Sequence, residues 1–553
     1  MAFLSLELSW RALIWIYAIA VTSCESILLT SEGNAPMADT NMGKIIGSTI
    51  EVKGKQVHQF FSIPYAKPPT GERRFKKPEP MESWSDPILA TKEPPACIQY
   101  TQNPFPWYDN KPGKSEDCLF LNIWTPAGAE NGSKKAVLYW IFGGGFFVGS
   151  IRQEFHLGET LSALGDIIVV TVSYRLGSLG FLYSGSTDAP GNVGLWDILA
   201  GLQWVNDHIE AFGGDKSLIT IAGESAGSIA VGLLSVSPLA QTLFTRQIMQ
   251  SGSPAYTLAD NNTHSLVRSQ IIAELMNCSN STFTIVDNPT KVVECLKGVD
   301  AMALLQAESS LIPFSSRSFL PQYGDEILPL NPREEIIAGN FKKDNLLIGT
   351  AKDEGSFQIT TSNPDLFGFF GEKDPPLNKS SGEHLLRKIF RFLPDPEQVV
   401  HHYLPESIPE DDYETVRFQV YSASGDFSLL CPSVYFAEKC AENSSDVYFY
   451  MWAHRPSNTP WASWMGTPHF SEAAFLFGLP VRDAEQYEEE EVELSMNYIE
   501  MWSNFIKEGK PAENWPSYSK EIPVFVYVGV ETEAHGTGPH KDNCDFFRPY
   551  FGF

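Results

Sequence analysis

The chain has 553 residues, of which 43% are hydrophobic, and this is enough apolar material for a large buried core. Its formal net charge is −27. Because phosphate backbones are bound by clustered lysine and arginine, this charge excludes nucleic acid as the expected partner. The acidity indicates a solvated extracellular surface, and a field that draws cationic substrates into a cleft is the sharper alternative.

Residues 11–23 form a short apolar stretch near the N-terminus that ends in small residues. The stretch is too short to cross a bilayer comfortably, so we predict a cleaved signal peptide over residues 1–24 and a secreted protein. An uncleaved anchor is the alternative. We expect no stable membrane span later in the chain and one catalytic domain over residues 25–553.

Cysteine and sequon usage fits secretion. Cys24 lies at the predicted cleavage region, which leaves an odd number of the eight cysteines in the mature chain. Sequence alone does not pair them, although 97 with 118 and 278 with 295 would each close a modest loop. Candidate glycosylation sites in N-x-S/T sequons are Asn131, Asn261, Asn277, Asn280, Asn378 and Asn443.

Apolar runs that are typical of strands recur along the chain, and helical stretches lie between them. Near-continuous apolar runs indicate strands that are buried on both faces of a sheet. We predict an α/β fold: one large domain with a central, mostly parallel, twisted sheet and helices on both faces. Long stretches over 253–345 and 357–445 are predicted to lie above the carboxyl ends of the strands and to shape a pocket. The strand-like runs are 136–141, 167–172, 218–222, 346–349 and 447–452, and the helical stretches include 195–211 and 228–236.

Three glycines, 143–145, directly follow the run 136–141. Their backbone N–H groups are not obstructed by side chains, so with the amide of Ala226 they suit the anionic oxygen of a tetrahedral intermediate. A tight turn or a phosphate loop is the alternative. A phosphate loop has Lys-Ser/Thr after its glycines, whereas Phe146 and Phe147 follow here.

A G-x-S-x-G pentapeptide, residues 223–227, follows the strand-like run 218–222 and precedes a run of small residues. Strand, sharp turn and helix in this order form the context in which a serine becomes a nucleophile. Gly223 and Gly227 leave room where strand and helix nearly collide. The helix N-terminus behind Ser225 favours developing negative charge.

A serine hydroxyl needs a base and an orienting third group before it attacks an ester. Asp353 and Glu354 follow the run 346–349, and the residues alone do not choose between them as the acid. The base is expected after the acid in the chain. His454 directly follows a strand-like run, and His469 lies in a Gly/Pro-rich loop, so both are candidates.

Together these motifs resemble the type-B carboxylesterase family of α/β-hydrolases and, within it, the cholinesterases. The match covers nearly the whole chain after the predicted signal peptide. It is carried by SEDCLFLN at 115–122, WIFGGGF at 140–146, FGGD at 212–215, GESAG at 223–227 and WMG at 464–466.

The resemblance implies Glu354 as the acid and His469 as the base, with Gly144, Gly145 and Ala226 as oxyanion donors. It implies a buried polar cluster of Glu224, Ser251 and Glu472 beside the triad, and the ion pairs Arg74–Glu116 and Arg175–Asp197. It also implies the disulfides Cys97–Cys118, Cys278–Cys295 and Cys431–Cys544, with Cys440 unpaired.

The substrate pocket departs from the cholinesterase pattern. Cholinesterases hold the quaternary ammonium against a tryptophan by cation–π attraction, and here that position falls on Tyr108 with Trp107 beside it. Two acyl-pocket phenylalanines correspond to Ser315 and Arg317, while Phe357 retains an aromatic ring. Gln358 replaces a second ring, and Leu258 stands where a tryptophan is usual. We predict Trp107, Tyr108, Arg317 and Phe357 as substrate-binding residues and expect no strict acetylcholine specificity.

The predicted function is therefore a secreted, cholinesterase-like serine ester hydrolase that forms an acyl-enzyme on Ser225. It needs no metal or organic cofactor, and its partner is a small-molecule ester; the oligomeric state is left open. A general detoxifying or lipid-directed carboxylesterase is the alternative. A catalytically silent, neuroligin-like adhesion protein is the other, although every catalytic position is filled here.

Overall fold

The computed structural model describes residues 35–101, 113–129, 132–256, 262–311, 319–371, 373–374, 376–443, 445–530 and 535–553. Several predictions fall outside these ranges. They concern the signal peptide and its Cys24, the pocket positions Trp107, Tyr108, Leu258, Ser315 and Arg317, and the sequons at Asn131 and Asn261.

One large sheet of 11 strands organises the described part of the chain. In chain order its strands are β1 (Ser48–Val52), β2 (Lys55–Pro64), β3 (Phe120–Pro126), β4 (Lys135–Ile141), β5 (Ile168–Val172), β6 (Gly214–Glu224), β7 (Arg246–Gln250), β8 (Asn345–Ala351), β9 (Val447–Trp452), β10 (Val524–Val528) and β11 (His535–Thr537). Smaller strands outside it are Met37–Thr40, Gly43–Ile46, Ile88–Leu89, Ala96–Cys97, Lys114–Ser115, Tyr183–Ser186 and Ala189–Pro190.

The spatial order of the sheet is β11-β10-β9-β8-β7-β6-β4-β5-β3-β2-β1. Neighbouring strands from β10 through to β5 are parallel, and the pairs at both ends are antiparallel. The predicted mostly parallel sheet is confirmed. The five strand-like runs of the sequence became β4, β5, β6, β8 and β9, with bounds that differ by at most a few residues.

Helices cover both faces of this sheet. Alternate residues of β4 show the division, since Val137 and Tyr139 enter one core while Leu138 and Trp140 enter the other. The helices are α1 (Glu159–Gly165), α2 (Gly177–Phe181), α3 (Val193–His208), α4 (Ala226–Val236), α5 (Asn262–Leu275), α6 (Pro289–Lys297), α7 (Ala301–Leu311), α8 (Pro332–Ala338), α9 (Glu354–Ser362), α10 (Lys379–Ile389), α11 (Pro396–Tyr403), α12 (Tyr413–Gly425), α13 (Cys431–Glu442), α14 (Ala473–Leu476), α15 (Leu479–Arg482), α16 (Glu489–Glu508) and α17 (Lys541–Phe551).

None of the described helices is both long and apolar enough to span a membrane. Three disulfides join described cysteines: Cys97–Cys118, Cys278–Cys295 and Cys431–Cys544, the pairs that the resemblance implies. Cys440 is a buried free thiol.

Two ion pairs also tie distant segments together. Arg175 donates to both oxygens of the fully buried Asp197 at 2.7 Å. Arg74 Nε donates to Glu116 at 2.6 Å. They are the two pairs that the resemblance implies, and the buried one joins the segment after β5 to α3.

Candidate active site

Ser225 lies at the sharp turn between β6 and α4. Its backbone has φ 55° and ψ −122°, a strained conformation for a residue with a side chain and one that concentrates at functional sites. The turn is possible because residue 227 is glycine: a Cβ atom there would lie only 2.0 Å from the carbonyl oxygen of Ile141. The close approach of strand and helix therefore requires glycine, as the pentapeptide predicts.

A continuous hydrogen-bond chain connects Ser225 to a buried carboxylate. His469 Nε2 lies 2.9 Å from Ser225 Oγ, and His469 Nδ1 lies 2.6 Å from Glu354 Oε2. The other carboxylate oxygen of Glu354 accepts the backbone N–H of Ala351 at 2.8 Å, which fixes the carboxylate at the start of α9. The three side chains that the sequence predicts as nucleophile, acid and base are thus brought together: Ser225 and Glu354 come from the ends of β6 and β8, and His469 comes from the loop that follows β9.

The structure separates the two acid candidates by their contacts. Asp353 accepts the Tyr421 hydroxyl and the backbone N–H of Thr467, both at 2.9 Å. Asp353 therefore holds the loop that carries His469, whereas Glu354 holds the imidazole. Arg455 fastens the same loop by donating to the Gly466 carbonyl at 2.6 Å.

His454, the competing base, lies elsewhere. Its Nε2 is 2.7 Å from Glu491 Oε1 on α16, and Glu491 also accepts the backbone N–H of Ser457 at 2.7 Å. This arrangement is a partly buried structural pair and has no contact with Ser225.

The glycine run after β4 passes over the serine turn. Gly144 and Gly145 have φ values of +111° and +64°, and a Cβ atom on Gly144 would lie 2.2 Å from the Val148 carbonyl oxygen. Their amides donate to no group in the described part of the chain. Ala226 is the first residue of α4, where the backbone N–H has no partner within the helix. Gly144, Gly145 and Ala226 all line the same cavity as Ser225.

Two further carboxyl groups are buried beside His469. Glu224 Oε1 lies 3.2 Å from His469 Nε2, and Glu472 accepts the side-chain amide of Gln250 at 3.2 Å. Burial raises the pKa of Glu224 well above its usual range and raises the pKa of Glu472 to about 7. Ser251 is fully buried next to Gln250.

The pKa of His469 reflects two opposing effects. Burial lowers the pKa, and the surrounding carboxyl groups, Glu224 first and then Glu354, raise it to about 9. An imidazole accepts a proton only in its neutral form, so the protonation state of Glu224 affects the pH range in which His469 could act as a base.

A cavity of about 880 Å³ opens onto Ser225 and His469. Described residues of both long stretches line it, among them Tyr323, Arg333 and Phe427, in agreement with the prediction that these stretches shape a pocket. Phe357 lies in this wall, and the centroid of its ring is 5.9 Å from that of His469. The guanidinium-bearing residues Arg268 and Arg333 also line the cavity.

Sequence reasoning missed other residues of this wall. His156 is buried with its Nδ1 3.0 Å from the Ser150 carbonyl oxygen, and burial lowers its pKa to about 4, so the ring is neutral. Ser424 and Ser428 line the cavity from a helical region with no recognisable motif. Nothing local in the sequence distinguishes these residues from core or surface positions.

Comparison with known proteins identifies the family. A model described as the carboxylesterase family matches residues 34–547. Acetylcholinesterase-1 of Trittame loki is 38% identical over 540 residues, which cover 94% of this chain and 96% of that protein. Acetylcholinesterase of Bungarus fasciatus is 33% identical over 552 residues, covering 96% and 89%. Acetylcholinesterase of Leptinotarsa decemlineata is 32% identical over 546 residues, covering 93% and 86%.

The agreement spans the sheet, the serine turn and both long pocket-forming stretches, and so extends over almost the whole chain. The chain belongs to the carboxylesterase family and, within it, is a cholinesterase-like serine carboxylic-ester hydrolase.

Proposed function

We propose that the protein is a secreted ester hydrolase in which Ser225 is the nucleophile, His469 the general base and Glu354 the orienting acid. The observation that carries this proposal is the hydrogen-bond chain of 2.6 Å and 2.9 Å through the two nitrogens of His469. Because the Nδ1–H group is directed at Glu354, the Nε2 lone pair faces the serine hydroxyl.

In the first half-reaction, Ser225 Oγ attacks the ester carbonyl carbon while His469 Nε2 takes its proton. Glu354 stabilises the resulting imidazolium. Collapse of the tetrahedral intermediate transfers that proton to the departing alcohol and leaves an acyl-enzyme. Water, deprotonated by His469, then attacks the acyl carbon and releases the carboxylic acid, which regenerates Ser225.

The negative oxygen of each tetrahedral intermediate is bound by the amides of Gly144, Gly145 and Ala226. The positive φ values of both glycines support this role, because glycine adopts them without strain and has no side chain to cover its N–H group. Loss of one such donor typically costs about 3 kcal/mol of transition-state stabilisation.

Choline esters are the first candidates for the substrate, since the relatives that cover most of the chain are named acetylcholinesterases. The field of a chain with net charge −27 favours a cationic alcohol group. Trp107 and Tyr108, as predicted cation-binding residues, and Arg317, as an acyl-pocket residue, complete this proposal from the sequence.

Hydrolysis of neutral esters is the second candidate function. The composition of the cavity wall favours it. Arg268 and Arg333 line the space, and Glu224 is the one acidic residue among the described lining residues. Burial favours the neutral form of Glu224. A broad carboxylesterase would use the same triad with a less selective alcohol site.

Thiol release from acetylthiocholine, butyrylthiocholine and S-phenyl thioacetate separates these candidates. Preference for the choline thioesters supports the cholinesterase activity, and equal or better turnover of the neutral thioester supports the general carboxylesterase. Absence of turnover on all three, with intact fold, refutes the catalytic proposal and favours the adhesion protein.

Matched variants test the residue roles. Ser225→Ala and His469→Ala are each expected to lower kcat by about a hundred-thousand-fold or more, because the triad acts as a unit. His454→Ala retains substantial activity, since that ring pairs with Glu491 rather than with the serine. Retained hydrolysis in Ser225→Ala, or loss confined to His454→Ala, contradicts the assignment.

Secretion and modification belong to the same proposal: a signal peptide over residues 1–24 precedes one catalytic domain over residues 25–553. Asn277 and Asn280 are exposed, as glycosylation requires. Asn378 caps α10 through its side-chain oxygen, which leaves the nitrogen for a glycan. The Asn443 side-chain nitrogen donates to the Lys439 carbonyl at 2.9 Å. Glycosylation would replace one of its two hydrogens and leave the other for that bond.

A further inference from the structure

A group of polar side chains interrupts the aromatic wall of the cavity. Gln358 on α9, Ser424 on α12 and Ser428 in the π-helical turn Asp426–Leu430 all line the space that contains Ser225. Gln358 directly follows Phe357, whose ring lies against His469. The polar group is therefore within the substrate cavity and close to the base.

The backbone holds Gln358 and Ser424 at a fixed separation. Helices α9 and α12 cross at two glycines, where a Cβ atom on Gly355 would lie 1.7 Å from the Tyr421 carbonyl oxygen. A Cβ atom on Gly425 would lie 2.6 Å from the backbone nitrogen of Gly355. Because no side chain fits between the helices, their separation is set by backbone contact.

The turn that carries Ser428 is anchored from the opposite side. Asp426, which begins it, is 2% exposed and accepts the Tyr403 hydroxyl at 2.8 Å and the Asn543 side-chain amide at 2.7 Å. His540 Nδ1 lies 2.6 Å from its other oxygen. Ser428 is thus presented to the cavity by a turn that is fastened to α11 and to the segment that begins α17.

The hydrogen bonds of the group determine which end of the Gln358 amide is available. Its Oε1 accepts the Ser424 hydroxyl at 2.9 Å and the Ser428 hydroxyl at 2.7 Å. The Ser428 hydroxyl has a second acceptor, the Ser424 carbonyl oxygen at 2.7 Å. For the Ser424 hydroxyl, Gln358 Oε1 is the only acceptor among the described residues. A reversed amide would leave that hydroxyl without an acceptor, so the oxygen faces the serines.

The NH2 group of Gln358 consequently points away from the serines. It donates to no described residue, and the lining of the cavity that it shares includes the aromatic rings of Phe357 and Phe427. A fixed donor among apolar side chains is the arrangement by which a pocket selects a substrate group that accepts a hydrogen bond, because an apolar group there leaves the donor unsatisfied.

We infer that Gln358 is a specificity-determining residue whose NH2 group donates a hydrogen bond to an oxygen atom of the ester substrate, beyond the ester group itself. The enzyme accordingly prefers esters that carry a carbonyl or ether oxygen on a side chain over esters of the same shape without it. This inference rests on the proposed ester hydrolysis at Ser225.

Two isosteric ester pairs test the inference on the two sides of the scissile bond. The acyl pair is S-phenyl 4-oxothiopentanoate and S-phenyl 4-methylthiopentanoate, in which a methyl group replaces the ketone oxygen. The thiol pair is S-(3-oxobutyl) and S-(3-methylbutyl) thioacetate. With each rate divided by the rate of alkaline hydrolysis, we expect kcat/KM of the wild-type chain to favour the oxo member of one pair by about tenfold.

Gln358→Leu is expected to abolish this preference, which is scored as the ratio of kcat/KM within each pair so that any change in the overall rate cancels. Gln358→Glu keeps an oxygen for both serines but lacks the NH2 group, so it also loses the preference. The matched control is Gln203→Leu, since Gln203 is exposed on α3 and bonds to Asp207. No oxo preference in either pair, or a preference that survives Gln358→Leu, overturns the inference.

Binding to Ser225→Ala, measured by calorimetry with the same esters, separates this inference from the proposed function. Tighter binding of one oxo ester that disappears in Ser225→Ala/Gln358→Leu supports the subsite even if the wild-type chain hydrolyses nothing. Equal binding within both pairs, together with normal turnover of S-phenyl thioacetate, overturns the subsite and leaves the proposed function intact.

Discussion

Glu224→Gln is expected to move the acidic limb of the pH profile of kcat/KM to lower pH. Burial lowers the pKa of His469, and Glu224, with its Oε1 3.2 Å from Nε2, is the foremost of the groups that raise it. Glutamine has nearly the same shape as glutamate but carries no charge. The imidazole therefore loses an anionic neighbour without a change in packing.

The magnitude follows from the distance. Two unit charges 3.2 Å apart attract by about 5 kcal/mol at an effective dielectric constant of about 20. Since about 1.4 kcal/mol corresponds to one pH unit, a permanently ionised Glu224 would raise the pKa of His469 by about four. Burial favours the neutral acid of Glu224, so only part of this charge is present, and we expect the variant to lower the pKa of His469 by about one to two.

The sign follows from the role of the imidazole. A general base acts in its neutral form, so kcat/KM rises with pH until His469 has lost its proton. A lower pKa makes the neutral form available at lower pH, and the acidic limb moves down. The assay is kcat/KM for S-phenyl thioacetate from pH 5 to pH 10, because this neutral ester has no cationic group to respond to the lost charge.

Glu491→Gln is the matched control. Glu491 also pairs with a histidine, at 2.7 Å from His454 Nε2, but this pair has no contact with Ser225. Its pH profile is expected to equal that of the wild-type chain. An acidic limb that stays in place or moves to higher pH in Glu224→Gln refutes the electrostatic reasoning, and equal shifts in both variants assign the effect to net charge.

Two further predictions concern stability. His540 pairs with buried Asp426; burial lowers the pKa of His540, but the carboxylate raises it above the usual value. The pair therefore stabilises the fold below about pH 6.5, and this stabilisation is lost as pH rises through the folded-state pKa. The melting temperatures of the wild-type chain and His540→Asn should differ more at pH 6 than at pH 9, and an equal difference at both pH values contradicts the titration. Replacing Cys431 and Cys544 with alanine removes the disulfide that closes a loop with a sequence separation of 113. Because the unfolded chain then gains conformational entropy, the free energy of unfolding measured by urea titration should fall by about 4 to 5 kcal/mol. A loss below about 1 kcal/mol would refute the loop-entropy argument.

The sequence predicts best those features whose cause is local. The strand at Val447–Trp452 is found with the predicted bounds because an unbroken apolar run has one stable place in this fold, inside the sheet. Ser225 was identifiable because its turn needs glycines at 223 and 227, whatever the rest of the chain does.

Features that depend on how distant segments meet could not be predicted. Asp353 and Glu354 are adjacent, and the difference between them lies in where the loop around His469 approaches α9. The contact of Gln358 with Ser424 spans 66 residues and arises where α9 crosses α12, so no periodicity or motif announces it. For the acid, which local patterns left open, the prediction of Glu354 came from the resemblance to a family.

The contacts of Asp353 have a mechanical consequence. Asp353 and Glu354 are neighbours in the chain, and each grips the same loop, one through the Thr467 backbone and the other through the His469 ring. Glu354 and His469, the proposed acid and base, are consequently held to each other both directly and through the contact of Asp353 with this loop. The serine turn is held separately, by β6 and α4. The hydrogen bond of 2.9 Å between His469 Nε2 and Ser225 Oγ connects this turn to the loop that carries His469. In the proposed mechanism, a substitution that disturbs either the loop or the serine turn therefore changes the distance between His469 Nε2 and Ser225 Oγ, across which the proton is transferred.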